Sequence, residues 1–184
     1  MSDLVGQKGS RTRAEDNFRL TMAQLNPTVG DLAGNAQLAF DAWQEAREAG
    51  ADLIMLPEMF ITGYQVQDLV LKPQFVRDAM AQIGALAARV KHGPAMAIGG
   101  PQSKDGQLFN AYYLLDGGEI TSVGHKHELP NFNVFDEVRH YTSAPLQGPM
   151  SVRGVRIGFP ICEDAWHEDV AEAMEESGAE MLFV

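Results

Sequence analysis

Apolar positions along the chain follow two rhythms. FRLTMAQL, DLIMLPE and AMAIGGP are short apolar runs of the kind that form buried strands. NAQLAFDAWQEAREAG instead spaces Leu38, Ala39, Ala42, Trp43 and Ala46 by threes and fours. That spacing predicts a helix, capped by Asp31 or Asn35 and stopped at Gly50. A second helix is expected from about Gln74 to Lys91, after a looping MFITGYQVQDLVLKP. The AMAIGGP strand is expected to end at its glycines and proline. NAYYLLDGGEITSVGHKHEL reads as two strands joined at Gly117 and Gly118. VRGVRIGFPIC then reads as one strand, EDAWHEDVAEAMEESG as a helix and AEMLFV as a strand. Trp43, Met55 and Met59 are expected in the core.

Strands therefore alternate with helices around one inserted hairpin. This is an α/β pattern with largely parallel sheets covered on both faces. No internal repeat or low-complexity block interrupts it. AEMLFV is not followed by a turn or cap, so the sequence is expected to stop inside a domain. Residues 1–17 are polar and lack the apolar stretch of a signal peptide; a disordered tail is expected there, with the domain over 18–184.

Composition narrows the classes. A chain of 184 residues with 45% hydrophobic content can bury a sizeable core. Its formal net charge of −11 argues against a nucleic-acid partner held through phosphates. No apolar stretch reaches the roughly 18 residues that span a membrane. The single cysteine can form no internal disulfide, which suits a reducing, cytoplasmic setting.

Three chemically distinct residues follow strand patterns: Glu58 after DLIMLP, Lys126 at the end of EITSVGHK, and Cys162 at the end of VRIGFPIC. Ligands bind outside the carboxyl ends of strands in such sheets. Each residue has a plainer reading: a surface carboxylate, a snorkelling edge lysine, a small buried thiol. Together they make a base, a cation and a nucleophile. Glu163 and Asp164 beside the thiol are explained by the start of a helix, where acidic side chains meet the positive dipole end. That end and an ammonium both favour a thiolate. His125 and His127 alternate on a strand and could bind a metal, but no third ligand has a persuasive spacing, so no metal is expected. His140 and His167 are expected on the surface or behind the site.

The Glu, Lys and Cys in this order, each at a strand end, resemble the nitrilase, or carbon–nitrogen hydrolase, superfamily. AQLNPTVGDLAGN, LPEMFITGYQVQDLVLKPQF, KHELPNFNVFDE and ICEDAW are more closely similar to the glutaminase domains of glutamine-dependent NAD⁺ synthetases. The resemblance runs from about Arg19 to the last residue. It implies an α-β-β-α sandwich, present only in part. It places the base on Glu58, the lysine on Lys126, the nucleophile on Cys162 and a supporting acid on Glu137. The backbone N–H of Glu163 would join Lys126 in binding the oxyanion. Phe132 stands where the family usually has Tyr, which removes a hydroxyl; Phe132 and Phe135 would keep an aromatic wall for the substrate.

The implied reaction is hydrolysis of the glutamine amide through a thioester. The ammonia would pass to a synthetase domain that aminates deamido-NAD⁺. The glutaminase part needs no cofactor; ATP and Mg²⁺ belong to the synthetase domain, of which no glycine-rich nucleotide loop occurs here. A homo-oligomer is implied as well. Two other readings compete: a stand-alone nitrilase-type amidase or N-carbamoyl hydrolase, and a non-catalytic α/β fragment or interaction module.

Overall fold

The computed structural model describes residues 17–184; the expected tail falls almost wholly outside them. Among the described residues, eight strands and three α-helices follow in the order β1 (Leu20–Met22), α1 (Leu32–Glu48), β2 (Leu53–Met55), α2 (Pro73–Arg89), β3 (Ala95–Lys104), β4 (Gln107–Asp116), β5 (Glu119–His125), β6 (Met150–Val152), β7 (Val155–Gly158), α3 (Glu168–Glu176) and β8 (Met181–Leu182). The strands form a five-stranded sheet in the order β1-β2-β3-β4-β5 and a three-stranded sheet in the order β6-β7-β8.

Side-chain alternation makes the first sheet a two-faced wall. Ile54, Met96, Ile98, Ala111, Tyr113 and Leu115 face α1 and α2, where Trp43, Ala79, Ile83 and Leu86 complete one core. Their sequence neighbours Leu53, Ala95, Ala97, Tyr112 and Leu114 face the second sheet and meet Val152, Ile157, Phe159 and Ile161. On the far side of the second sheet, Met174 of α3 packs over Gly158. The layers run helix, sheet, sheet, helix, as the α-β-β-α expectation requires.

Four details differ from the sequence reading. The first sheet is mixed rather than largely parallel, because β3-β4-β5 is an antiparallel meander. β3 does not stop at its glycines and proline but runs on to Lys104. β2 pairs with β3 only at residues 95–97, so among the described residues β3 has β4 as its sole strand neighbour at Pro101. A proline is tolerated there because no second strand needs its missing N–H. β3 and β4 turn at Asp105–Gly106, both at positive φ (51° and 77°). VRGVRIGFPIC is a hairpin, not one strand: Arg153 and Gly154, at φ 52° and 84°, fold β6 back on β7.

Asp31 caps α1, its Oδ1 accepting from the Gly34 N–H at 2.9 Å. Asn35 does other work: its side chain bonds the Thr28 main chain and the Ile61 carbonyl and so ties down the loop after Glu58.

Candidate active site

Glu58 stands at the first turn beyond β2, and two features place it. Met59, the next residue, has φ 51°, a left-handed conformation rare for a residue with a side chain. That turn crosses β3 at Gly99, where a Cβ would come within 2.2 Å of the Met59 nitrogen and 2.7 Å of the Glu58 carbonyl carbon. Only glycine lets the two backbones approach this closely.

Lys126 follows β5, and its N–H continues the ladder to the Asn110 carbonyl at 2.9 Å. Its side chain is fully buried, with Nζ 2.8 Å from Glu58 Oε1 and 3.0 Å from Glu137 Oε2. Glu137 also accepts from the Tyr64 hydroxyl at 3.2 Å. Asn110 Nδ2 donates to Glu58 Oε1 at 2.7 Å and reaches Glu137 Oε2 at 3.5 Å. Both donors to Glu58 converge on Oε1, which leaves Oε2 for another proton. One fully buried ammonium thus serves two carboxylates, Glu137 buried and Glu58 partly exposed. Burial pulls the Lys126 pKa down, but the two carboxylates outweigh it and hold it above its ordinary value. Burial pushes Glu137 above the usual carboxyl range, and Glu58 adds to this while Lys126 opposes it.

Cys162 is reached from β7 through Phe159, Pro160 and Ile161. It is exposed and takes φ 49°, so it is not the small buried hydrophobe of the plainer reading. Cys162 and Glu58 line one cavity of about 50 Å³ with Leu56, Pro57, Tyr112 and Ile161. Desolvation, and next the Glu58 carboxylate, raise the thiol pKa; Lys126 works against both. A thiol shifted in this direction gains from a base beside it, and the Glu58 carboxylate lines the same cavity.

The expected helix after Cys162 is divided. A 3₁₀ turn spans Cys162–Trp166, and α3 begins only at Glu168. Glu163 is the second residue of that turn, where helical N–H groups lack an intrahelical acceptor. Asp164 is not a solvated dipole partner but is buried. Its Oδ1 accepts from the N–H groups of His127 (3.1 Å) and Glu128 (2.7 Å), and its Oδ2 from Ile161 (3.0 Å). It clasps the segment just after Lys126 to the segment just before Cys162.

The sequence reading missed Asn110, Tyr64 and Asp164 as parts of this site. A buried polar residue in the apolar run NAYYLL was a usable signal for Asn110; its Oδ1 is buried without a hydrogen bond. Phe132 and Phe135 pack edge to face, 5.5 Å between centroids, and neither lines the cavity at Cys162. A larger cavity of about 280 Å³ meets the cluster at Glu137 and is lined by Tyr64, Asp68, Val134, Arg139 and His140. It is not lined by the cysteine, which lies in the smaller one.

Residues 19–184 match the carbon–nitrogen hydrolase family model. The chain is 55% identical over 169 residues to a glutamine-dependent NAD(+) synthetase of Rhodobacter capsulatus, covering 92% of this chain and 31% of that protein. It is 35% identical over 150 residues to the Thermotoga maritima protein of that name, covering 82% and 26%. The solved glutamine-dependent NAD+ synthetase of Acinetobacter baumannii superposes with a TM-score of 0.84 at 30% identity, over 90% of this chain and 31% of that one. An amidase from Nesterenkonia sp. shares the fold at 23% identity, with a TM-score of 0.76 over 90% of this chain and 63% of that one. The chain thus spans about a third of the length of the synthetases it matches. With a match over nearly all its described residues, and a layered fold that gathers Glu58, Lys126 and Cys162 at strand ends, this chain belongs to the carbon–nitrogen hydrolase family.

Proposed function

We propose that this chain hydrolyses the side-chain amide of glutamine and releases ammonia for the synthesis of NAD⁺ from deamido-NAD⁺ by a synthetase domain. The observation that carries the reading is the Glu58–Lys126–Glu137 cluster, built on a fully buried ammonium, beside an exposed thiol at positive φ. Glu58 takes the proton from Cys162 as the sulfur attacks the amide carbon. The oxyanion is met by Lys126 Nζ and the Glu163 N–H. Glu58 then returns the proton to the departing nitrogen, the C–N bond breaks and ammonia leaves a thioester. Water, deprotonated by Glu58, attacks the thioester; glutamate departs and the thiol is restored. Lys126 cannot serve as the base, because its proton is held by two carboxylates.

Nothing in this half-reaction calls for a metal or cofactor; ATP and Mg²⁺ would act in the synthetase domain. We place the reaction in the cytoplasm, where a lone exposed thiol stays reduced. No helix among the described residues is long and apolar enough to cross a membrane. Assembly as a homo-oligomer, with ammonia passed internally, completes the reading. The test is Cys162→Ala in the full-length protein: glutamate release should fall to background while synthesis from added ammonia continues. Glutamate release at the parent rate rejects the assignment.

A further inference from the structure

Asn110 lies in β4 with 1% of its surface exposed. Side chains alternate along a strand, so Asn110 shares the face of Tyr112, which lines the Cys162 cavity, while Ala111 between them faces α1 and α2. This one residue touches every member of the charged cluster. Its carbonyl accepts from the Lys126 N–H at 2.9 Å. Its Nδ2 lies 2.7 Å from Glu58 Oε1 and 3.5 Å from Glu137 Oε2. The hydrolysis set out above gives that amide no work.

Chemistry fixes which way the amide points. Its nitrogen has two N–H donors, and its oxygen only accepts. Turned over, Oδ1 would face two carboxylates. As it stands, Oδ1 is buried with no hydrogen-bond partner among the described residues. A buried carbonyl without a donor is unfavourable. The orphaned oxygen and the two carboxylates at Nδ2 are separate observations that agree: the side chain is placed for what its nitrogen holds. Lys126 by itself is a divided partner for Glu58. Its ammonium is shared with Glu137, at 2.8 and 3.0 Å, and a tetrahedral intermediate asks it for a further N–H.

We propose that Asn110 is a positioning residue for the base: its amide keeps Glu58 Oε1 occupied, so that Oε2 takes the proton of Cys162, and it keeps this hold while Lys126 turns to the oxyanion. The proposal rests on the thioester reading of the site. The proton leaves the sulfur for Oε2 and leaves Oε2 for the departing nitrogen; Asn110 neither gains nor loses one. Protonated at Oε2, Glu58 still accepts at Oε1, so the amide serves both forms of the base. A neutral donor suits this task. A carboxylate here would be a third acid in the cluster, and an ammonium would compete with Lys126 for the same two acids.

Asn110→Leu keeps the shape of the side chain and removes both the donor and the orphaned oxygen; the main-chain bond to Lys126 remains. In the full-length protein, glutamate release should lose about tenfold to a hundredfold in kcat, with KM within about twofold and a melting temperature near the parent's. Asn110→Ser, one bond too short for the contact with Glu58, should give the same split per folded molecule and decides the matter if the leucine variant does not fold. Cys162→Ala measured alongside separates the two claims. If it abolishes glutamate release while the Asn110 variants keep the parent kcat, the role of Asn110 falls and the reaction stands. If it releases glutamate at the parent rate, the thioester reading falls and takes this proposal with it. A loss confined to KM, or one that only follows the folded fraction, makes Asn110 a substrate-binding or structural residue and overturns the proposal too.

Discussion

Glu58 and Cys162 are neighbours whose charges oppose each other, and this sets how the thiol behaves. Partial desolvation first, and then the carboxylate, hold the Cys162 pKa above the ordinary thiol value of about 8.5. The pH dependence of iodoacetamide labelling should therefore have its midpoint above that of a free cysteine. Glu58→Gln removes one raising influence, so the midpoint should fall even as glutamine hydrolysis is lost. A midpoint unmoved by Glu58→Gln would separate the two side chains. Lys126→Met leaves the buried Glu137 and the partly buried Glu58 without their cation, which costs about 3–5 kcal/mol. The pH sign follows from Glu137. Its folded-state pKa is already raised, so the fold binds that proton more tightly than the unfolded chain does. In the variant the penalty is present above the folded-state pKa and shrinks as pH falls towards the ordinary carboxyl range. Urea melts at neutral and mildly acid pH check this, and an equal loss at both contradicts it.

Elements bring these residues within reach through backbone devices. The Glu58 turn lies on β3 only because position 99 has no Cβ. Gly99→Ala should push that turn off the strand, lowering kcat with a smaller loss of stability than Lys126→Met. An unchanged kcat would show that the base tolerates displacement. The Asp164 clasp makes the same kind of prediction for the other half of the site. Asn at this position can accept through one oxygen only, so Asp164→Asn leaves at least one buried N–H unpaired, at about 1–3 kcal/mol. We expect kcat to fall more than KM rises, with a lower melting temperature; the opposite split would assign Asp164 to substrate binding. At this scale much was legible beforehand. Helical spacing located α1 and α2, and Gly117–Gly118 marked the β4–β5 hairpin. The Asp105–Gly106 turn was equally legible by its Asp-Gly pair, yet the run into Pro101 suggested an ending. The clasp was not legible, since Asp164 beside Glu163 looks like any acidic first turn.

The whole molecule depends on two sheets pressed face to face. Glu58 and Lys126 extend from one, and Cys162 from the other. Ile157 is fully buried between them, five residues before the sulfur. Ile157→Ala should destabilise by about 2–5 kcal/mol, read from chemical denaturation, with hydrolysis tracking the folded fraction. A normal denaturation curve would show that the interlayer core does not support the Cys162 side. By itself, the sequence determined most of the order of elements, though not the β6–β7 hairpin or the 3₁₀ turn before α3, together with the buried face of α1 and the three residue types at strand ends. Those follow from local periodicity and from chemistry that each side chain carries with it. It did not determine that β3-β4-β5 form a meander, that Asn110 and Tyr64 join the charged cluster, or that Asp164 turns inward. Pairing partners, burial and hydrogen-bond acceptors belong to segments remote in the chain, and only packing the layers together decides which of them meet.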